Sequence, residues 1–224
     1  MSFIVAIDGP AGTGKGTITK LIAQELNLLN IDTGAMYRCV ALECLKNGIS
    51  DINLEKEKII EIAKNIHIQM QNINGEITVY LNGEDVSKQI RTKEVSSFVS
   101  PVSSIPEVRE VMVDLQRKMA EKQDVIMEGR DITTVVFPNA DVKIYLDADV
   151  EERAKRRFLE NQEKGINMTY EETLEAVKKR DYSDMHKPIG ALKIAKDAIV
   201  VDTTHLSIGQ VKEKVEEIIK KNKV

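Results

Sequence analysis

The chain has 224 residues, 42% hydrophobic and 30% charged, a balance that suits one α/β domain with a small insertion and a core large enough to stand alone. A formal net charge of −4 argues against a general nucleic-acid binder, so any anion site has to come from local clustering of Arg and Lys. No apolar run approaches the roughly 18 residues that a membrane span needs, and the first strand begins without a basic segment and long apolar stretch ahead of it, so the expected location is the cytoplasm.

The first apolar run, FIVAI at 3–7, leads directly into GPAGTGKGT at 9–17. A strand that enters a glycine-rich turn ending in Lys is a phosphate cradle. Gly9, Gly12, Gly14 and Gly16 let consecutive backbone N–H groups curl toward one point around Pro10, Ala11 and Thr13. Lys15 adds a movable positive charge, and the helix that starts there adds the positive end of its dipole. The expected ligand is a polyphosphate. Gly16 occupies the slot after the lysine where Ser or Thr normally holds Mg²⁺, and the hydroxyl arrives one residue later, at Thr17. That GKGT ending resembles the nucleoside monophosphate kinase branch of the P-loop proteins, where the metal is held largely through water and phosphate oxygens, and not a GTPase.

Four further short β-rich runs fit buried parallel strands, at 28–31, 125–127, 142–146 and 198–201. Helical patterns fall at 15–26, 35–46, 55–65, 106–121, 150–163, 170–180 and 208–221. The alternation predicts a doubly wound α/β fold, a five-stranded parallel sheet flanked by helices, with ligands at the carboxyl ends of the strands. Residues 66–91 break the rhythm. They read as two alternating strands joined through Asn74-Gly75, with another turn at Asn82-Gly83. This antiparallel insertion is either a decorative hairpin or a module that closes over a substrate, and it divides the core into about 1–65 and about 92–224. The final KKNKV reads as frayed and solvated. Cys39 and Cys44, the only cysteines, fall in one helical apolar pattern and read as small core residues, and His67, His186 and His205 lack metal-ligand spacing, so no bound metal is expected.

A second set of charged motifs remains for an acceptor. IDTGAMYR places Thr33 and Arg38 after the second strand; VSPVSSIPEVRE supplies Ser100 and Arg109; MEGRD supplies Glu128, Arg130 and Asp131; KKRDYSDMHKP supplies Arg180, Asp181, Asp184 and Lys187. Together with GEDVSKQIRTKEVSS, VREVMVDLQR and EGRDITTVVFPNADVKIYLDADVEERAKRR, these motifs stand in the order and spacing of the bacterial cytidylate kinase family, which the chain resembles from Ile4 to the last helix.

The resemblance implies a P-loop kinase core, an inserted nucleotide-binding module at about 66–91 and a mobile helical lid at about 153–184. It implies transfer of the γ-phosphoryl group of ATP to CMP or dCMP, with Mg²⁺, in a monomer. Carried over residue by residue, the acceptor phosphate falls to Arg38 and Arg130 with Thr33 beside them, the base to Ser100, Arg109 and Asp131, and the sugar to Arg180 and Asp184. Guanidinium forks match phosphate oxygens bidentately. Cytosine presents an amino donor at N4 and acceptors at N3 and O2, so a carboxylate and a guanidinium complete its edge. Arg153 and Arg157 are expected to reach the ATP phosphates when the lid closes, with Gly165 as hinge; Lys15, Arg130 and Arg157 are the catalytic cations. Three positions depart from the family pattern or vary within it. Lys187 replaces a usual Arg and acts as a point charge, Thr133 replaces a frequent Gly, and Glu128 is one of two carboxylates tolerated there, a candidate to hold Mg²⁺ through water. The competing reading is a nucleotide-gated regulatory module without transferase activity.

Overall fold

In the computed structural model, which describes residues 2–73, 76–163 and 165–223, five parallel strands form the sheet at the centre of the chain. They are β1 (Ile4–Asp8), β2 (Leu29–Asp32), β6 (Val125–Gly129), β7 (Val142–Asp147) and β8 (Ile199–Asp202), in the order β2-β6-β1-β7-β8. Successive side chains of a strand point to opposite faces, and both faces are covered. Val5, Ile7, Ile126, Ile144 and Leu146 pack with Ile18, Ile22, Val211, Val215 and Ile219 from α1 (Lys15–Leu26) and α8 (Ile208–Asn222). Ala6, Ile31, Val125 and Met127 face the other way, onto α2 (Thr33–Lys46), α3 (Lys56–Asn65) and α5 (Pro106–Met119), through Met36, Val40, Ile59 and Met112. That two-sided burial is why the strands read as continuous apolar runs.

The insertion folds as an antiparallel sheet of β3 (Ile68–Ile73), β4 (Glu76–Leu81) and β5 (Glu84–Asp85). Asn82 and Gly83 turn between β4 and β5 with φ of 51° and 87°, the left-handed pair that a tight hairpin of this type demands. The expected turn at Asn74-Gly75 lies outside the described residues. Ile68, Met70, Val79, Leu81 and Ile90 join the same apolar cluster as α2 and α3, so one face of the insertion is part of the main core. Helices α6 (Val150–Glu163) and α7 (Tyr170–Met185) pack against each other beyond β7.

Three expectations are corrected. Helix α4 (Lys93–Val102) has no counterpart in the sequence reading: Thr92 caps it by accepting a hydrogen bond from the Val95 amide, and Pro101 sits in its last turn, at the cost of the bond that its missing N–H would have made four residues back. Helix α7 runs to Met185 rather than ending at residue 180, and α8 runs one residue past the expected 221, to Asn222, so the tail to that point is helical rather than frayed, although residues 220–223 are exposed as expected.

Ile126 lies on the central part of the sheet, fully buried against α1 and α8. Ile126→Ala is expected to cost about 2–5 kcal/mol of unfolding free energy, read from urea denaturation. A loss below about 1 kcal/mol would mean that this face is not close-packed.

Candidate active site

The loop after β1 closes as a cradle because three of its glycines adopt conformations that side chains resist. Gly9, Gly12 and Gly14 have φ of 149°, 85° and 89°, and a Cβ on Gly9 would overlap the Leu146 carbonyl oxygen at the end of β7. Gly14 begins α1 without a side-chain cap, so the first helical N–H groups point at the space in front of the loop. Lys15 folds back over that space. Its Nζ donates to the carbonyl oxygens of Gly9 and Pro10, each at 2.7 Å, and the residue is only 5% exposed. Burial, and next the Arg130 guanidinium, lower its pKa.

In front of the cradle lies a cavity of about 890 Å³. It is lined by Ala11, Gly12, Thr13, Gly14 and Thr17 at the loop, by Arg153, Arg156 and Arg157 of α6 and Arg180 of α7, and by apolar side chains that include Leu206, Ile208 and Val211 at and just before the start of α8. A polyphosphate attached to an apolar ring system matches that division. Arg91, Lys93 and Arg156 line it as well, although the sequence reading gave them no role. The apolar lining was equally hidden, because Ile208 and Val211 carry the same spacing as any core-facing helix. Arg157 is half-exposed and pairs with Glu160 at 2.9 Å. Arg153, by contrast, is buried: it donates to the carbonyl oxygens of Ala148 (2.9 Å) and Ala11 (3.2 Å) and pairs with Asp181 at 2.7 Å.

The second group of predicted residues gathers beside the first at the carboxyl end of β6. Arg130 Nε donates to Asp184 Oδ2 at 2.8 Å, Lys187 Nζ lies 3.3 Å from Asp184 Oδ1, and Arg180 Nε lies 3.9 Å from Asp184 Oδ2. Lys187 also donates to Ser103 Oγ at 3.3 Å; it points inward, and burial, joined by Arg109 and Arg130, lowers its pKa. Arg109, 5% exposed, pairs with Asp131 and lies over the Tyr37 ring at 5.4 Å. Arg38 donates to Ser96 Oγ at 2.7 Å and to the Ile90 carbonyl at 3.0 Å. Thr33 is buried and donates to the Glu128 carbonyl oxygen at 2.8 Å. Ser100 stands apart: it is exposed on α4, and its carbonyl accepts from Ser103 and Ser104. The serine in contact with the cluster is Ser103, whose carbonyl accepts from Arg109 and whose hydroxyl accepts from Lys187.

Burial alone would raise the pKa of Asp184, but Arg130, Lys187 and Arg180 outweigh it and hold the carboxyl below its ordinary value. A group depressed in the folded state stabilises above its unfolded pKa, about 3.9 for Asp, and that contribution is lost as pH falls through the folded value. The stability gap between the parent and Asp184→Asn is expected to stay constant from about pH 7 to about pH 5 and to narrow below about pH 4. Urea denaturation at each pH measures it, and a gap of the same size at both ends would remove Asp184 as the counter-charge.

A sequence model described as cytidylate kinase matches residues 5–221. A cytidylate kinase of Caldicellulosiruptor bescii is 51% identical over 217 residues, covering 97% of this chain and 95% of that protein. One of Clostridioides difficile is 47% identical over 220 residues, covering 98% of each. Among solved structures, an uncharacterized protein from Eubacterium ventriosum superposes with a TM-score of 0.55 at 13% identity, over 98% of this chain and 99% of that one, which shows a shared fold alone. With a phosphate cradle and a cluster of acceptor-type side chains at one end of a parallel sheet, and with relatives of this identity along nearly its whole length, the chain belongs to the cytidylate kinase family.

Proposed function

We propose that this chain transfers the γ-phosphoryl group of ATP to the phosphate of CMP or dCMP, giving ADP and CDP or dCDP. The observation that carries the reading is the meeting of two sites: Arg180 lines the cavity in front of the cradle together with Gly14 and Thr17, and it approaches the same Asp184 to which Arg130 is bonded and beside which Lys187 stands. A donor and an acceptor phosphate brought there face converging cations. In-line transfer needs little acid–base chemistry; positioning and charge stabilisation supply the rate.

ATP lies with its phosphates in the loop from Gly9 to Thr17 and its base toward Leu206 and Ile208. On closure Arg157 adds charge to the donor phosphates, and Arg153 does so on exchanging its contact with Asp181. Arg38 and Arg130 fork the acceptor phosphate with Thr33 beside them, Lys187 adds a point charge toward the same phosphate, and Arg180 and Asp184 hold the sugar. Asp131 accepts from cytosine N4 while Arg109 donates to N3 and O2; Ser100 reaches the base only after a rearrangement of α4. The lid spans about 153–184 and the insertion about 66–91, with Gly165, at φ 68°, as the hinge.

The donor set suits Mg²⁺ arriving with ATP better than a resident ion. Glu128 Oε1 lies 3.0 Å from where a Cβ on Gly16 would stand, and Thr17 lines the cavity. Among the described residues no group of three or more His, Cys, Asp or Glu side chains is arranged to hold a metal. Thr17 and, through water, Glu128 would face the ion, both hard oxygen donors. Held there, the ion would supply positive charge against that of the phosphates. One chain contains both sites, which supports a working monomer. Free nucleotide substrates suit a cytoplasmic enzyme; none of the described helices is long and apolar enough to cross a membrane. A regulatory module without transfer would have no use for an acceptor cluster beside the cradle.

Lys15→Ala is expected to lower kcat by about 3 kcal/mol of transition-state stabilisation or more, with the fold intact by circular dichroism. A folded variant with normal turnover would remove the loop from the donor role.

Parent enzyme is expected to prefer CMP and dCMP to UMP in kcat/KM by roughly 1–3 kcal/mol for each reversed bidentate contact, and Asp131→Asn to shrink that preference. Equal efficiencies for CMP and UMP in the parent, from a coupled assay of ADP release, would overturn the assignment of the base.

A further inference from the structure

Asp131 opens a single wide turn, Ile132–Val136, in which the Val136 and Phe137 amides donate five residues back, a π-type geometry that recurs at functional sites. An aspartate at the start of such a turn ordinarily caps it, its side chain accepting from the first unpaired amides. Asp131 makes no such bond. Its carboxylate is turned away, onto Arg109.

The amides are nevertheless satisfied, from a different strand. Asp8, the last residue of β1 and 0% exposed, accepts from the Ile132 amide at 2.9 Å through Oδ1. Through Oδ2 it accepts from the Thr133 amide at 2.8 Å and the Thr133 hydroxyl at 2.6 Å. Asp8 itself is fixed, since β1 pairs on both sides, with Gly129 of β6 and Tyr145 of β7 opposite it. The turn is the dependent partner. Without the Asp8 carboxylate the Ile132 and Thr133 amides would be buried donors lacking that acceptor, and Asp131, at the cap position of the same turn, is the residue whose side chain would ordinarily serve them.

We propose that Asp8 is a positioning residue for base selection: by capping the 132–136 turn in place of Asp131, it leaves the Asp131 carboxylate aimed with Arg109 at the acceptor base. Thr133 strengthens that cap with a hydroxyl that a glycine at the same position would lack. The inference rests on the reading of Arg109 and Asp131 as the base contacts. It ties base selection to the residue that immediately precedes the phosphate cradle, so the two sites share one rigid strand end.

The test compares the parent with Thr133→Val, Thr133→Ser and Asp8→Asn in steady-state kinetics with CMP, UMP and ATP, and records Tm for each. Thr133→Val keeps the shape and both amide bonds but removes the hydroxyl donor. It is expected to raise KM for CMP roughly three- to ten-fold and to lower the CMP-to-UMP ratio of kcat/KM, with KM for ATP within about two-fold of the parent. Thr133→Ser restores the parental ratio, and Asp8→Asn, where it folds, shows a larger loss in the same direction. A parental CMP-to-UMP ratio in Thr133→Val overturns the proposal whatever happens to Tm, because a merely structural bond would move stability and not base choice. A parent that prefers CMP beside a Thr133→Val variant with an undiminished preference refutes the cap alone; a parent indifferent to the base refutes the assignment of Arg109 and Asp131 with it.

Discussion

Transfer between two phosphates requires several cations within reach of one point, and like charges held there repel one another before any substrate arrives. Lys15, Arg38, Arg130, Arg180 and Lys187 are gathered where the parallel strands end, and burial or neighbouring cations lower the proton affinity of Lys15, Arg38 and Lys187. Much of the local architecture is a means of tolerating that cluster. Asp184 faces three of the cations from α7, Lys15 is satisfied by the carbonyl oxygens of its own loop, and Arg38 is held by Ser96 and the Ile90 carbonyl. The carbonyl and hydroxyl oxygens that hold Lys15 and Arg38 are neutral acceptors, which anionic phosphate oxygens can replace with stronger bonds.

The carboxylates are arranged by the same logic. Asp184, Asp131 and Asp181 each face a cation, respectively Arg130, Arg109 and Arg153. Buried ion pairs contribute little net stability because desolvation offsets the attraction, so their concentration here points to positioning rather than to holding the fold together. Stability comes instead from the two apolar layers on either side of the sheet, which leaves the strand ends able to carry strained glycines and crowded charge.

The strands and the cradle were legible in the sequence because their signals are local: strands buried on both faces leave continuous apolar runs, and glycines at fixed offsets before a lysine have few other uses. Helix α4 was not, because a serine-rich stretch containing Pro101 carries loop composition, and only packing of Val95 and Val102 into the core makes it a helix. Strand β5 is two exposed acidic residues, with no pattern to read. Among the charged residues, composition identified which could bind a phosphate but not which way each points. Lys187 could face solvent or the interior with equal local logic, and its inward position depends on Asp184 one helical turn earlier and Ser103 on another segment. Arg153 and Arg157 lie on one helical face, yet only one is buried, because the Ala11 carbonyl and Asp181 come to it from distant parts of the chain.

The glycine after the cradle lysine and the glutamate before Gly129 are two sides of one constraint. In the sequence, Gly16 reads as the loss of a hydroxyl and Glu128 as a candidate to hold Mg²⁺ through water. In the fold, β1 and β6 pair in parallel with Ile7 opposite Glu128, which brings the Glu128 side chain up against the start of α1, 3.0 Å from where a Cβ on Gly16 would stand. A serine or threonine there would press its Cβ against the carboxylate in a region where burial and the nearby Asp32 already raise the Glu128 pKa. The hydroxyl is therefore displaced to Thr17, one residue further along the helix and facing the cavity. The two hard oxygen donors come from the first turn of α1 and from the end of β6 rather than both from one loop, and the loop keeps the space that the carboxylate occupies.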